Sequence, residues 1–215
     1  MKSNRVVFSL LLLIASLSVS GQVYKFDHLI RYHYNNNPTV RGVHFNTDDF
    51  SYSMHLMGYG AAMTAYISDQ QAGFTHQYDV KNIGNSNSNP TFVFVYKHSI
   101  KHNQNLTLKE YEINTLHHDD AGTTVGIKLF KNSKRKTPAQ EALLVIKPYS
   151  ANTIPALKFM LFDTVGNHLD VQYETNAVMH YAEFVQSGYL FKWYLDEISK
   201  VSISIPKPFK IILRS

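Results

Sequence analysis

The chain has 215 residues, no cysteine and a formal net charge of +5. This length suits a single domain that can bury a sizeable core without cross-links. Without cysteine there is no disulfide, no thiolate metal site and no acylated cysteine of the kind that anchors a lipoprotein. The charge is mild and the basic residues do not extend into a stripe, so we expect no nucleic-acid partner.

The first residues have the pattern of a secretory signal peptide. Lys2 and Arg5 precede the apolar run 6–15, and small residues follow it. The run is shorter than the about 20 apolar residues that a transmembrane helix needs. We therefore expect a signal peptide over 1–21 and a single β-rich domain over 22–215. The protein is then exported to the periplasm or the medium, as a cell-envelope protein without a stable transmembrane anchor after cleavage.

Apolar and polar residues alternate along most of the remaining chain, as in strands with one buried face. In the first strand the apolar face carries Tyr24, Phe26, Ile30, Tyr32 and Tyr34. The same alternation recurs around 50–56, 63–67, 169–173 and 201–205. Turn residues separate the runs at Asn35–Pro38, Asp69–Gly73 and Asp119–Gly122. Their spacing predicts about a dozen strands.

The expected fold class is mainly β with a minor α+β character. It is a single antiparallel curved sheet or half-barrel with one or two short helices, and a β-sandwich is the alternative. The segment Phe92–Tyr96 is apolar on both faces, which predicts a central strand.

Two segments have helical signals. Thr137–Gln140 combines a capping threonine with Pro138 and predicts a short turn of helix. In the second segment Asn176 can cap, and Val178, Tyr181, Ala182 and Val185 follow at helical spacing. This predicts a helix over Asn176–Gln186, with a strand as the alternative.

The segment His117, His118, Asp119 and Asp120 is rich in metal ligands. Imidazole and carboxylate groups suit zinc or nickel. Adjacent residues of a strand point to opposite faces, so all four converge only if the segment is a turn. The alternative is a polar hairpin tip that binds nothing.

A basic run, Lys131–Lys136, can contact lipid head groups or be an ordinary solvated loop. The sequence has no Gly-x-Ser-x-Gly elbow and no cysteine nucleophile. No catalytic residue can be named, no cofactor is expected, and the pattern favours a protein that is not an enzyme.

Aromatic residues are plentiful, with 14 Tyr and 13 Phe. On a curved sheet, Tyr24, Phe26, Tyr32 and Tyr34 can line a cavity for an acyl chain or another apolar ligand. The alternative is that these side chains fill the core, since the apolar face of a sheet must be covered.

The two ends of the domain resemble a family of small secreted proteins from flavobacteria-like bacteria. The likeness lies in Val23–Tyr34, directly after Ser20-Gly21-Gln22, and in 188–192 through 195–201. Such proteins look broadly like the half-barrels of lipoprotein carriers. The resemblance implies a curved antiparallel sheet partly wrapped around helix, and it carries no functional residue across.

Three functions follow as hypotheses. The first is an exported cell-envelope protein that binds an apolar or lipid-like ligand without catalysis. The second is a structural or partner-binding surface protein, whose protein partner the sequence does not identify. The third is a metal-dependent hydrolase that uses the cluster from His117 to Asp120.

Overall fold

The computed structural model describes residues 22–35, 37–58, 62–84, 91–102, 110–120, 122–130, 137–159, 173–186 and 189–214. Most of this backbone is extended, because β-branched and aromatic residues alternate with polar ones along it. Its elements are β1 (Val23–Tyr34), β2 (Asn37–Asn46), β3 (Asp49–Met57), β4 (Met63–Asp69), β5 (Phe74–Asn82), β6 (Phe92–Lys101), β7 (Glu110–Asp119), β8 (Gly122–Phe130), β9 (Gln140–Pro148), a 3₁₀ helix (Ile154–Phe159), β10 (Ala177–Gln186) and β11 (Tyr189–Pro206).

The strands form one open antiparallel sheet in the order β6-β5-β4-β3-β2-β1-β11-β10-β9-β8-β7. The first and last strands pair at its centre, so the sheet joins the two ends of the domain. Each half of the chain is a simple meander between the centre and one edge. The main prediction from the sequence, a mainly β fold with a single antiparallel sheet, is confirmed.

The sheet cannot be flat, because its two edge strands are consecutive in the chain. Only residues 102–109 connect β6 to β7, and nine residue steps reach roughly 32 Å at most. A flat sheet of this size would separate its edges by about 48 Å. The sheet must therefore curve so that β6 and β7 approach each other.

The apolar faces meet in two clusters that share β1. Ile30 and Tyr32 belong to one cluster, with residues of β2 and β8 to β10. Tyr24 and Phe26 belong to the other, with residues of β3 to β5 and Ile205 of β11. The buried 3₁₀ helix contacts both β3 and β10, which are four positions apart in the sheet. The concave side is therefore packed with side chains.

The predicted alternation is confirmed where one face of a strand is buried. In β1 the side chains of Tyr24, Phe26, Ile30 and Tyr32 are buried while their neighbours are more exposed. In β4, Ala65 and Ile67 are buried in the same way. The turn predicted at Asp69–Gly73 also forms, with Gly73 at positive φ, and β7 and β8 pair up to Asp119 and Gly122, where Gly122 has positive φ.

The helix predicted over Asn176–Gln186 is wrong, because this segment is strand β10. Its register with β9 shifts between Met179 and Tyr181, which leaves His180 as a bulge. Met179 and Ala182 are both buried as a result, three residues apart. A bulge shifts the alternation by one residue, and in this sequence the shift imitates a helical period.

Two further predictions are wrong. Thr137–Gln140 forms no helical turn, since β9 begins at Gln140. Phe92–Tyr96 is not central, because β6 is an edge strand. Its Phe92, Val93 and Val95 side chains are all more than one-third exposed. An apolar run on both faces therefore does not mark burial here.

Candidate functional site

The four aromatic residues predicted to bind a ligand pack in the core. Tyr24, Phe26 and Tyr32 are at most 2 % exposed, and Tyr34 lies partly buried against Trp193. None of the four lines either cleft described below, both of which are formed by described residues. Ligand binding by these residues stays a prediction, and the structure gives them a packing role.

The two most buried hydroxyl groups of this set are hydrogen-bonded. The Tyr32 hydroxyl donates to the carbonyl oxygen of Met179 at 3.0 Å. The Tyr24 hydroxyl donates to Oδ2 of Asp69 at 2.8 Å. Burial raises the pKa of Tyr32, and burial together with the Asp69 carboxylate raises the pKa of Tyr24. Both phenols therefore stay protonated and act as donors inside the core.

The ligand-rich segment lies at the exposed end of β7 and in the turn that follows. His117 Nε2 is 3.2 Å from Asp119 Oδ2, whereas His118 Nδ1 is 2.8 Å from Thr123 Oγ1. Asp120 is exposed in the turn. Nowhere in the described ranges are three or more His, Asp or Glu side chains placed to hold a metal ion. The structure does not bring the four predicted ligands together.

Other predictions fall on residues outside the described ranges. These are the signal peptide over 1–21, the basic run Lys131–Lys136 and nearly all of the strand around 169–173. They stay predictions.

A buried pair of His76 and Ser99 connects β5 to the edge strand β6. His76 Nδ1 lies 2.6 Å from Ser99 Oγ, and the Tyr96 hydroxyl lies 2.7 Å from the same oxygen. Burial lowers the pKa of His76, and the charge of Asp69 partly offsets this by raising it. A serine hydroxyl next to an imidazole is the arrangement of a nucleophile and its general base. Ser99 is fully buried, however, so no substrate reaches it in this conformation.

A buried carboxylate lies next to this pair. Asp69 is 3 % exposed. Its Oδ2 accepts from the Tyr24 hydroxyl, and its Oδ1 accepts from the backbone N–H of Ala72, both at 2.8 Å. Lys207 Nζ lies 3.7 Å from Oδ2 and 4.7 Å from the centre of the Tyr24 ring. The sequence did not reveal this network, because its members come from residues 24 to 207.

An apolar cleft of about 350 Å³ lies on the outer face of the C-terminal half of the sheet. The strand registers place Asn114, Gly126, Leu143 and Glu183 side by side on β7, β8, β9 and β10. Gly126 has no side chain, so this row has a gap. The side chain of Leu116 borders the gap, with Cδ1 3.4 Å from where a Cβ on Gly126 would lie.

The walls of this cleft, which we call the Gly126 cleft, are mainly aliphatic. Leu116, Val185 and Leu190 line it and are about half exposed or more. Lys128, Glu141 and Glu183 also line it. Its volume is at the small end of the range of about 300 to 1,000 Å³ that is typical of ligand clefts. A lone glycine in an apolar strand pattern was the available signal in the sequence.

A second cleft, of about 820 Å³, opens between the β2–β3 turn, the β4–β5 turn and the 3₁₀ helix. Asp48, Asp49, Gln70 and Asn152 line it, so its surface is polar. Lys158 also lines it and is almost fully buried, with Nζ 5.1 Å from the centre of the Phe159 ring. This lining does not suit an apolar ligand.

Comparisons with protein-family models, with curated proteins and with solved structures found no match. The described part of the chain contains no helix with the length and apolar character needed to cross a membrane.

Proposed function

We propose that this chain is an exported cell-envelope protein that binds a small apolar or lipid-like ligand in the Gly126 cleft, without catalysis. The proposal rests on three exposed aliphatic side chains that surround the gap at Gly126 in the sheet surface, namely Leu116, Val185 and Leu190. Exposed apolar surface of this kind is typical of binding sites. Export is supported by the pattern of residues 1–21.

The charges around the cleft favour an uncharged ligand. Lys128 is opposed by Glu141 and Glu183, so the lining carries more negative than positive charge. A fatty-acid anion would meet this excess of carboxylates, whereas a monoacylglycerol would not. Covering the three aliphatic walls contributes about 1 kcal/mol for each half-exposed side chain. We therefore expect weak, reversible binding of a neutral acyl compound.

Replacing Gly126 by valine tests the proposal, because it fills the gap and leaves the fold intact. Valine suits a strand, and it removes the cost of about 0.5–1 kcal/mol that glycine adds in a strand interior. Leu116 is exposed and can move aside. We expect Gly126→Val to weaken binding of Nile red and of a monoacylglycerol about tenfold, with an unchanged or higher melting temperature.

The control is Thr64→Val in β4, which places a valine seven strand positions away from β8. It should bind both probes as the parent chain does. Equal dye affinity in the parent chain and Gly126→Val would overturn the proposal. So would the absence of any saturable binding by the parent chain.

A further inference from the structure

The C-terminal segment 207–214 is anchored to the sheet near both of its ends. The backbone N–H of Lys207 donates to the carbonyl oxygen of Gln22 at 2.8 Å. The backbone N–H of Arg214 donates to the carbonyl oxygen of Ser99 at 3.1 Å, beside a parallel bridge between Ser99 and the segment. The segment thus runs from the start of β1 to the edge strand β6, which it meets at Ser99.

Bulky apolar side chains of this anchored segment face solvent. Phe209 is fully exposed, and Ile212 and Leu213 are more than half exposed. The neighbouring strand β6 adds Ile100, which follows Ser99 and is about two-fifths exposed. We call these four residues the edge patch. Because the segment is hydrogen-bonded to the sheet at Lys207, Ile212 and Arg214, this exposure is a property of the folded chain.

Basic residues outnumber acidic ones around the edge patch. Residues 91–102 and 207–214 contain Lys97, Lys101, Lys207, Lys210 and Arg214, and neither stretch contains Asp or Glu. Lys97 pairs with Asp79, and Lys207 with Asp69. The other three cations make no ion pair with the described residues, so their charge is available to a partner.

We propose that the edge patch binds the surface of an anionic lipid bilayer. Aliphatic and aromatic side chains flanked by lysine and arginine suit the membrane interface. The apolar side chains enter the boundary between head groups and acyl chains, and the cations contact phosphate groups. Pairing with β6 satisfies part of the segment's backbone, which lowers the cost of approaching a bilayer.

A second copy of the chain fits this surface less well. An isologous dimer would place the same patch opposite itself and bring like charges together. Like charges across an interface are unfavourable, whereas anionic head groups are complementary to them. No residue of the edge patch lines the Gly126 cleft.

Sedimentation of the full-length chain with vesicles tests the role of the charges. The vesicles contain phosphatidylglycerol and phosphatidylcholine, and any contribution of residues 1–21 is common to every variant. We expect Lys210→Glu combined with Arg214→Glu to lower the partition coefficient at least about tenfold. The control, Lys147→Glu with Lys200→Glu, makes the same change of net charge away from both the edge patch and the Gly126 cleft, and should retain binding within about twofold.

A tryptophan placed at Phe209 reports on the segment itself. The chain has a single tryptophan, Trp193, which is 4 % exposed and gives a constant background. With anionic vesicles, the Phe209→Trp emission should shift to the blue and be quenched by brominated lipid. A reporter at Tyr189, which is also mostly exposed, should not respond when placed as Tyr189→Trp.

Three results would overturn the proposal. The first is equal partition of the two charge variants. The second is equally tight binding to pure phosphatidylcholine. The third is an emission wavelength of Phe209→Trp that does not change with vesicles but shifts with protein concentration. This would identify a second copy of the chain as the occupant of the edge patch.

Discussion

Replacing Asp69 by alanine removes a buried carboxylate on which three groups depend. The Tyr24 hydroxyl and the Ala72 N–H donate to it at 2.8 Å, and Lys207 Nζ lies 3.7 Å away. Asp69 is 3 % exposed, so little water can replace the lost oxygen atoms. The substitution leaves the buried Tyr24 hydroxyl without its acceptor, which is the costly way to break such a network.

The size of the effect follows from the contacts. A hydrogen bond to a charged group contributes about 1.5–3 kcal/mol, and two of them are lost. Lys207 is nearly one-third exposed, so its ion pair adds less than about 1 kcal/mol. We expect Asp69→Ala to lower the free energy of unfolding by about 4 kcal/mol, Tyr24→Phe by about 2 and Lys207→Met by less than 1.

Urea denaturation followed by the fluorescence of Trp193 measures these differences. The double variant Asp69→Ala with Tyr24→Phe should lose about 2 kcal/mol less than the sum of the single variants, because both disrupt the same bond. Additive losses would refute the reasoning. So would a loss below about 1 kcal/mol for Asp69→Ala, which would mean that the carboxylate is hydrated.

Three further predictions concern stability. Burial lowers the pKa of His44 to about 4, so the unfolded chain binds the proton first as the pH falls. Urea titrations should show about 3 kcal/mol lost between pH 6.5 and 4, and His44→Phe should remove this part of the loss. Tyr32→Phe leaves a buried carbonyl oxygen without its donor and should cost about 1 kcal/mol in thermal unfolding. Gly122 has φ +139°, and a Cβ there would lie 2.5 Å from the carbonyl oxygen of Ile146. Gly122→Ala should therefore cost about 1–3 kcal/mol in the same urea assay, whereas Gly126→Ala should be neutral or stabilising.

The strands were predictable where burial is one-sided and the strand itself contains no bulge. β1 and β4 alternate from end to end, so their faces could be assigned from residue types alone. The faces of β10 could not be assigned in this way, because the bulge at His180 shifts its buried face by one residue. A local pattern has no marker that separates a bulged strand from a short amphipathic helix.

The candidate sites were less predictable than the fold. The aromatic face of β1 was recognisable in the sequence, but whether it lines a cavity depends on what packs against it. The Gly126 cleft needs Leu116, Leu143 and Val185 from three other strands. The buried network around Asp69 needs Tyr24 and Lys207, which are far from it in the chain.

The amino-acid sequence by itself determined that the domain is built of strands, where most of them turn, and which face of each regular strand is apolar. These properties depend on neighbouring residues and on the twofold period of extended backbone. Only the tertiary structure decided that β6 is an edge, that β1 pairs with β11 and that Gly126 opens a cleft. Strand order depends on pairs such as Tyr24 and Ile205. The local conformational preferences of residues do not specify a contact between positions separated by nearly the whole chain.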